Sequence, residues 1–168
     1  MKIVFLDIDG VLNSHRSVIA FGGYPHTVVG HERAMFDEVA VRLIAGVVRT
    51  AGASVVLSST WRKFDGWEEI GPALGMPIID RTPSMLGCRG MEIADWLHRH
   101  PEVERYAIID DDSDMLEVQK PFFVHTSHFE GFSWKNAEKL AELMGIALYD
   151  VNHPRLQPAK PALAWESP

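Results

Sequence analysis

Residues 2–12 read Lys2-Ile3-Val4-Phe5-Leu6-Asp7-Ile8-Asp9-Gly10-Val11-Leu12. A short, apolar, β-favouring run passes directly into two carboxylates spaced i, i+2, followed by a glycine. Such a run predicts a strand that ends at Asp7. Gly10 permits the chain to turn sharply there, so that Asp7 and Asp9 can both project into one pocket. A close pair of carboxylates suits Mg²⁺, which prefers oxygen ligands and keeps several waters. The cation in turn lets both acids stay ionised side by side.

Outward from this segment the chain alternates between strand and helix. Residues 36–50 carry Val39, Leu43, Val47 and Val48 at helical spacing and are closed by Gly52. Residues 53–57 form a second β-rich run, ending in Ser58-Ser59-Thr60. Residues 67–74 read as a helix that stops near Gly75, and residues 76–79 as a third strand. Residues 91–100 place Ile93, Ala94 and Leu97 on one helical face before Pro101. Residues 106–109 form a fourth strand running into Asp110-Asp111-Asp112, and residues 122–125 a fifth. Ser133 is expected to cap a final helix that runs to Met144, with Gly145 after it.

Strands alternating with helices imply βαβ units. The expected fold class is therefore a three-layer α/β/α Rossmann-like arrangement with a mostly parallel five-stranded sheet. The near-continuous apolar run Val55-Val56-Leu57 fits a sheet covered on both faces. Ligands in such sheets bind beyond the carboxyl ends of the strands. The polar clusters after the first, second and fourth strands are then one site, provided those strands are neighbours.

Residues 1–150 read as one domain. Within it, residues 13–34 lack a clean period and directly follow the first cluster, so a small lid over the site is expected. Residues 151–168 are Pro-rich and read as an extended tail. The chain has 168 residues, 46% hydrophobic and 23% charged, the make-up of a soluble globular domain. No apolar run approaches the roughly 20 residues that span a bilayer, and residues 1–6 are too short for a signal-peptide core. A cytoplasmic protein with no membrane partner is expected. Cys88 is the single cysteine, which rules out an internal disulfide and a cysteine zinc cluster. The net charge of −7 disfavours general nucleic-acid binding, because phosphate contacts need Lys and Arg.

Together with Arg89, these three clusters make a family likeness specific. Asp7-Ile8-Asp9-Gly10-Val11-Leu12 after a strand resembles the first motif of the haloacid dehalogenase (HAD) superfamily. Ser58 resembles the second motif, a Ser or Thr that hydrogen-bonds the phosphoryl group, with Ser59 as the alternative. Arg89, just before the helix that leads to the fourth strand, stands where the third motif usually has Lys. Asp110-Asp111 resembles the fourth motif, with Asp112 and Asp114 as alternatives. The likeness covers residues 1–145, with all four motifs in order. It implies a Mg²⁺-dependent phosphatase in which Asp7 is the nucleophile and Asp9 the general acid and base. The metal would be held by Asp7, the Asp9 carbonyl and Asp111, with Asp110 completing the site. Ser58, nearby backbone amides and Arg89 would steady the phosphoryl oxygens. The acid at position 9 resembles the family's phosphatases rather than its phosphonate-cleaving members or transport ATPases.

Leu57-Ser58-Ser59-Thr60-Trp61-Arg62, Arg89-Gly90-Met91-Glu92-Ile93-Ala94-Asp95-Trp96-Leu97 and Ile109-Asp110-Asp111-Asp112 resemble a small bacterial and phage branch of the superfamily. Domains of that branch also occur fused in RNA-repair proteins. This implies a phosphate on a nucleotide or a nucleic-acid end. The alternatives are a small sugar or amino-acid phosphate, or a non-catalytic phosphate-binding module. Ser59, Thr60, Arg62 and Arg16 are the candidate substrate contacts. Trp61 reads as a core residue or as a platform for a base, the former favoured. His15, His26 and His31 match no zinc spacing and are expected in solvent. Trp67, Trp96 and Trp134 are expected to pack. The sequence leaves oligomeric state open.

Overall fold

The computed structural model describes residues 1–148 and Val151; the rest of the expected tail at 151–168 lies outside the described residues. Five apolar strands pair in parallel throughout: β1 (Lys2–Leu6), β2 (Ser54–Leu57), β3 (Ile78–Arg81), β4 (Arg105–Asp110) and β5 (Phe123–His125), in the order β3-β2-β1-β4-β5. The longer helices are α2 (Glu38–Ala51), α4 (Arg89–Arg99) and α5 (Trp134–Met144), with shorter α1 (His15–Phe21) and α3 (Ile70–Leu74). The fold is the expected α/β one, and its sheet is parallel throughout.

Strand side chains alternate between faces, and the two cores follow that parity. Val4, Leu6, Val55, Leu57, Ile109 and Val124 face α2 and α5. Ile3, Phe5, Val56 and Ile108 face the other way, onto Ile93 and Trp96 of α4. All the residues just named are buried, as a parallel sheet between helix layers requires. Asp37 caps α2 by accepting from the amides of Val39 and Ala40. Ser133 caps α5 as expected, accepting from the Asn136 amide. No helix among the described residues is long and apolar enough to cross a membrane.

Several boundaries differ from expectation for identifiable reasons. β3 begins at Ile78 instead of residue 76, since Pro77 has no amide to give a ladder; its carbonyl accepts from Val55. The segment 67–74 divides into a 3-10 turn (Trp67–Glu69) and α3. Residues 13–34 are not wholly irregular, because they contain α1 and lead into a 3-10 turn at Gly30–Met35. α1 left no periodic signature because Ser17 is its only buried residue and Ile19 is 82% exposed. α4 starts two residues early, at Arg89, where Asp114 accepts from the Arg89 amide through its carboxylate and from the Gly90 amide through its carbonyl. Trp134, expected to pack, opens α5 in solvent and donates to Glu138.

Register then decides what meets at the carboxyl edge. Leu6 lies level with Leu57 and with Ile109, and Asp110 with His125. The ladder continues one residue further: the Asp7 amide donates to Ile109, Ser58 to Leu6, Thr82 to Leu57 and Thr126 to Asp110. The chain goes from β1 to β2 on one side and later returns to β4 on the other. Between β1 and β4 lies a topological switch point, where open α/β sheets bind ligands.

Trp96 anchors the α4 layer, edge-on to Phe5 at 5.4 Å between centroids and donating to Asp80 at 2.6 Å. Trp96→Ala is expected to cost about 3–5 kcal/mol, read as a lowered urea midpoint. Trp134→Ala should stay within about 0.5 kcal/mol of the native chain in the same measurement.

Candidate active site

Three carboxylates converge beyond β1 and β4. Asp7, Asp110 and Asp111 each present an oxygen such that all three oxygens lie within 4.8 Å of one another. Asp7 and Asp110 are buried and Asp111 is partly so. Asp111 enters the cluster over Gly10, whose φ of 77° suits glycine. A Cβ at position 10 would meet the Asp111 carboxylate at 2.2 Å, so a side chain there and Asp111 exclude each other.

One cation answers these charges. Arg89 Nη1 donates to Asp7 Oδ1 at 3.1 Å and lies 3.0 Å from Asp110 Oδ2. The second approach is electrostatic only, since Asp110 Oδ2 is buried and accepts no hydrogen bond. Burial raises the Asp7 carboxyl above its usual range, opposed by Arg89 and by a hydrogen bond from Ser59. Burial and then the charge of Asp7 push Asp110 up to about 8, with Arg89 pulling against them. Three carboxyl groups crowd hard oxygen donors around one guanidinium, and one of those oxygens is orphaned. That donor set fits a divalent cation of the Mg²⁺ type.

Asp9 lies outside this cluster. Its Oδ2 accepts from Trp61 Nε1 at 3.0 Å and its Oδ1 from Asn13 Nδ2 at 2.8 Å. Its side chain therefore stands apart from the three clustered carboxylates. Trp61 is 5% exposed and packs edge-on against Phe36, so it is a core residue. Its hold on Asp9 had no signal in the sequence.

The hydroxyl that lowers the Asp7 carboxyl is that of Ser59, whose Oγ accepts from the Trp61 amide at 3.4 Å. Ser58, favoured by spacing, has its Oγ buried without a hydrogen-bond partner among the described residues. Arg62, expected at substrate, is instead buried: Nη2 donates to both Glu92 oxygens at 2.7 Å, and Nη1 donates to the carbonyls of Ser58 and Ser59. It clamps the loop after β2 to α4. Glu92 also accepts from the Met85 amide, which steadies the approach to Arg89. Arg16 is exposed and pairs with Asp37 and Glu130, apart from the carboxylate cluster. Thr60 is exposed beside Asp9. Among the alternatives for the fourth cluster, Asp112 donates its amide to Asp110 and Asp114 caps α4.

Histidines that carried no motif complete the surroundings. His128 Nδ1 lies 2.8 Å from Asp111 Oδ2, and His125 Nε2 lies 2.9 Å from the Asp111 carbonyl. His15, expected free in solvent, meets His128 at 3.2 Å between Nε2 atoms. One signal pointed to His125: it ends the strand beside β4.

A family model described as the HAD domain in Swiss Army Knife RNA repair proteins matches residues 3–137. Comparison with curated proteins finds no match, and neither does comparison with solved structures.

The Arg62–Glu92 pair is 5% and 8% exposed, so removing one partner strands a buried charge. Arg62→Leu is expected to cost about 3–5 kcal/mol in urea unfolding, and Arg62→Leu with Glu92→Leu together less than Arg62→Leu alone. The metal-free protein should also respond to pH. The folded-state value of Asp110, about 8, lies above the reference value of 3.8, so the stability it contributes is present below that reference and is lost as pH rises through about 8. A divalent cation must expel that proton to bind at pH 6 but much less so at pH 8.5. Added Mg²⁺ is therefore expected to raise Tm more at pH 8.5 than at pH 6 (pH values chosen to bracket the titration), and Asp110→Asn should flatten the difference.

Proposed function

The chain belongs to the HAD superfamily, in the family of HAD domains of Swiss Army Knife RNA repair proteins, and from that premise we propose that it is a Mg²⁺-dependent phosphomonoesterase working through an aspartyl-phosphate on Asp7. At the coarse level the family makes it a phosphatase-type hydrolase. The observation that carries the finer reading is the convergence of Asp7, Asp110 and Asp111 beside Arg89 and Ser59 at one switch point.

In the first half-reaction an Asp7 oxygen attacks phosphorus in line as the bond to the leaving oxygen breaks. Asp9 gives that oxygen its proton. In the second half-reaction water attacks phosphorus, the bond to Asp7 breaks, and Asp9 takes the proton back. The donors Trp61 Nε1 and Asn13 Nδ2 fix the direction of the Asp9 carboxylate. Arg89, which donates to Asp7, and the Ser59 hydroxyl would meet the phosphoryl oxygens. Asp7, Asp111 and the Asp9 carbonyl, together with Asp110, would hold Mg²⁺, which would supply the charge that lets two anions approach.

Retention of both Asp7 and Asp9 favours turnover over a non-catalytic phosphate-binding role. The substrate class proposed is a nucleotide or nucleic-acid-end phosphate, ahead of a sugar or amino-acid phosphate.

With p-nitrophenyl phosphate and Mg²⁺, Asp7→Asn is expected to abolish phosphate release while circular dichroism stays native. Asp9→Asn should still transfer the phosphoryl group from this activated ester but hydrolyse the intermediate slowly, so intact-mass analysis gains one phosphoryl group on Asp7. Unchanged turnover in Asp7→Asn would sink the mechanism.

A further inference from the structure

The far side of Asp9 opens into a cleft of about 230 Å³. Tyr24 and Pro25 from the segment after β1 form one wall, and Trp61 and Phe64 from the turn after β2 form the other. Thr60 and His26 bring polar groups to it. No Lys or Arg lines it, so a second phosphate finds no charge partner there. Phe64 is 56% exposed, although it is a large apolar ring, and stands edge-on to Trp61 at 5.8 Å. A smaller hollow of about 90 Å³ shares Trp61, Phe64 and His26, so Phe64 stands between two recesses.

We infer that this cleft is the leaving-group subsite and takes the nucleobase of a nucleoside phosphate, with Phe64 and Tyr24 as the specificity-determining rings. The inference rests on the phosphatase reading above, because it assigns Asp9 to the leaving oxygen. Whatever hangs from that oxygen must occupy space beside Asp9, and the space offered is lined by the aromatic residues Tyr24, Trp61 and Phe64. Its volume is below the roughly 300–1,000 Å³ of pockets that enclose a whole drug-sized ligand, so it fits one ring system. Stacking on an aromatic side chain works for every base, since each has a π-face, so little preference among bases is expected. Thr60, His26 and the Tyr24 hydroxyl supply donors and acceptors of the kind that a ribose or a base edge needs. A phosphotyrosyl peptide also carries a ring, but its ring is joined directly to the leaving oxygen. A nucleoside interposes a sugar, which the polar groups at the cleft suit better.

The test compares kcat/KM for adenosine 3′- and 5′-monophosphates with that for glycerol phosphate, which undergoes the same reaction without a ring. The native chain is expected to favour the nucleotides. Phe64→Ala and Phe64→Leu should lower the nucleotide-to-glycerol ratio about tenfold, the scale of one stacked base, and Phe64→Tyr should restore it. A ratio untouched by Phe64→Leu and by Tyr24→Ala overturns the subsite, as does a preference for a phosphotyrosyl peptide over both nucleotides. Equilibrium dialysis of labelled adenosine monophosphate against the Asp7→Asn protein, with and without Phe64→Ala, separates this inference from the reaction. If the native chain hydrolyses no ester but Phe64→Ala still weakens nucleotide binding about tenfold, the phosphatase reading falls and the subsite stands. If neither turnover nor that difference in binding is seen, both fall.

Discussion

The parallel register of β1 between β2 and β4 is the constraint on which the site depends. Placing Leu6 level with Leu57 and Ile109 brings Asp7, the serine pair and Asp110 to the same edge of the sheet. A strand slip of one residue would turn each of these side chains to the opposite face. The apolar strands cannot slip, because both faces of the sheet are packed and every one of Ile3, Val4, Phe5 and Leu6 is fully buried. Hydrophobic packing thus holds together a set of acids that repel one another. Among the described residues Arg89 is the cation that touches both Asp7 and Asp110, and the three clustered carboxylates could hold a metal ion.

Around the acids, a second set of contacts keeps each group pointed in one direction. Arg62 and Glu92 lock the loop carrying the serines to the helix that begins with Arg89. Trp61 and Asn13 direct Asp9 away from the carboxylate cluster, so that the two aspartates of one short motif have different surroundings. His128 and His125 grip Asp111 from the loop and strand on the far side. Preorganisation of this kind matters because catalytic groups act only within a narrow range of distance and angle. It also explains why a pair with a desolvation cost as large as Arg62–Glu92 lies beside the site: both Nη atoms of Arg62 are hydrogen-bonded, one to Glu92 and the other to the loop that the pair holds, and only Nε is left without a partner.

How much of this was legible beforehand varies residue by residue. Asp7 and Asp9 announced themselves, because two acids at i, i+2 after an apolar run have few other uses. Asp110 and Asp111 followed by the same logic at a second strand end. Spacing could not separate Ser58 from Ser59, since the difference is which way each side chain turns as the strand ends. Arg62 looked like a substrate cation because a sequence shows charge but not burial, and its partner Glu92 is thirty positions away. Trp61, read as core, also carries a polar handle on Asp9 that no local pattern encodes. α1 was invisible because an exposed short helix has no apolar stripe to betray it.

The sequence by itself determined the alternation of strand and helix, the parallel sheet, and the identity of the acids at the strand ends. These follow from local preferences: apolar β-rich runs, helical periodicity, caps, and a glycine where a turn is needed. Tertiary structure alone decided that β4 rather than β3 lies beside β1, that the Asp9 side chain stands apart from the other three acids, and that His125 at the end of β5 and His128 beyond it close around Asp111. Each of those outcomes depends on distances between segments far apart in the chain. Such distances are set by how layers pack and which face of a strand is buried, and no run of neighbouring residues carries that information.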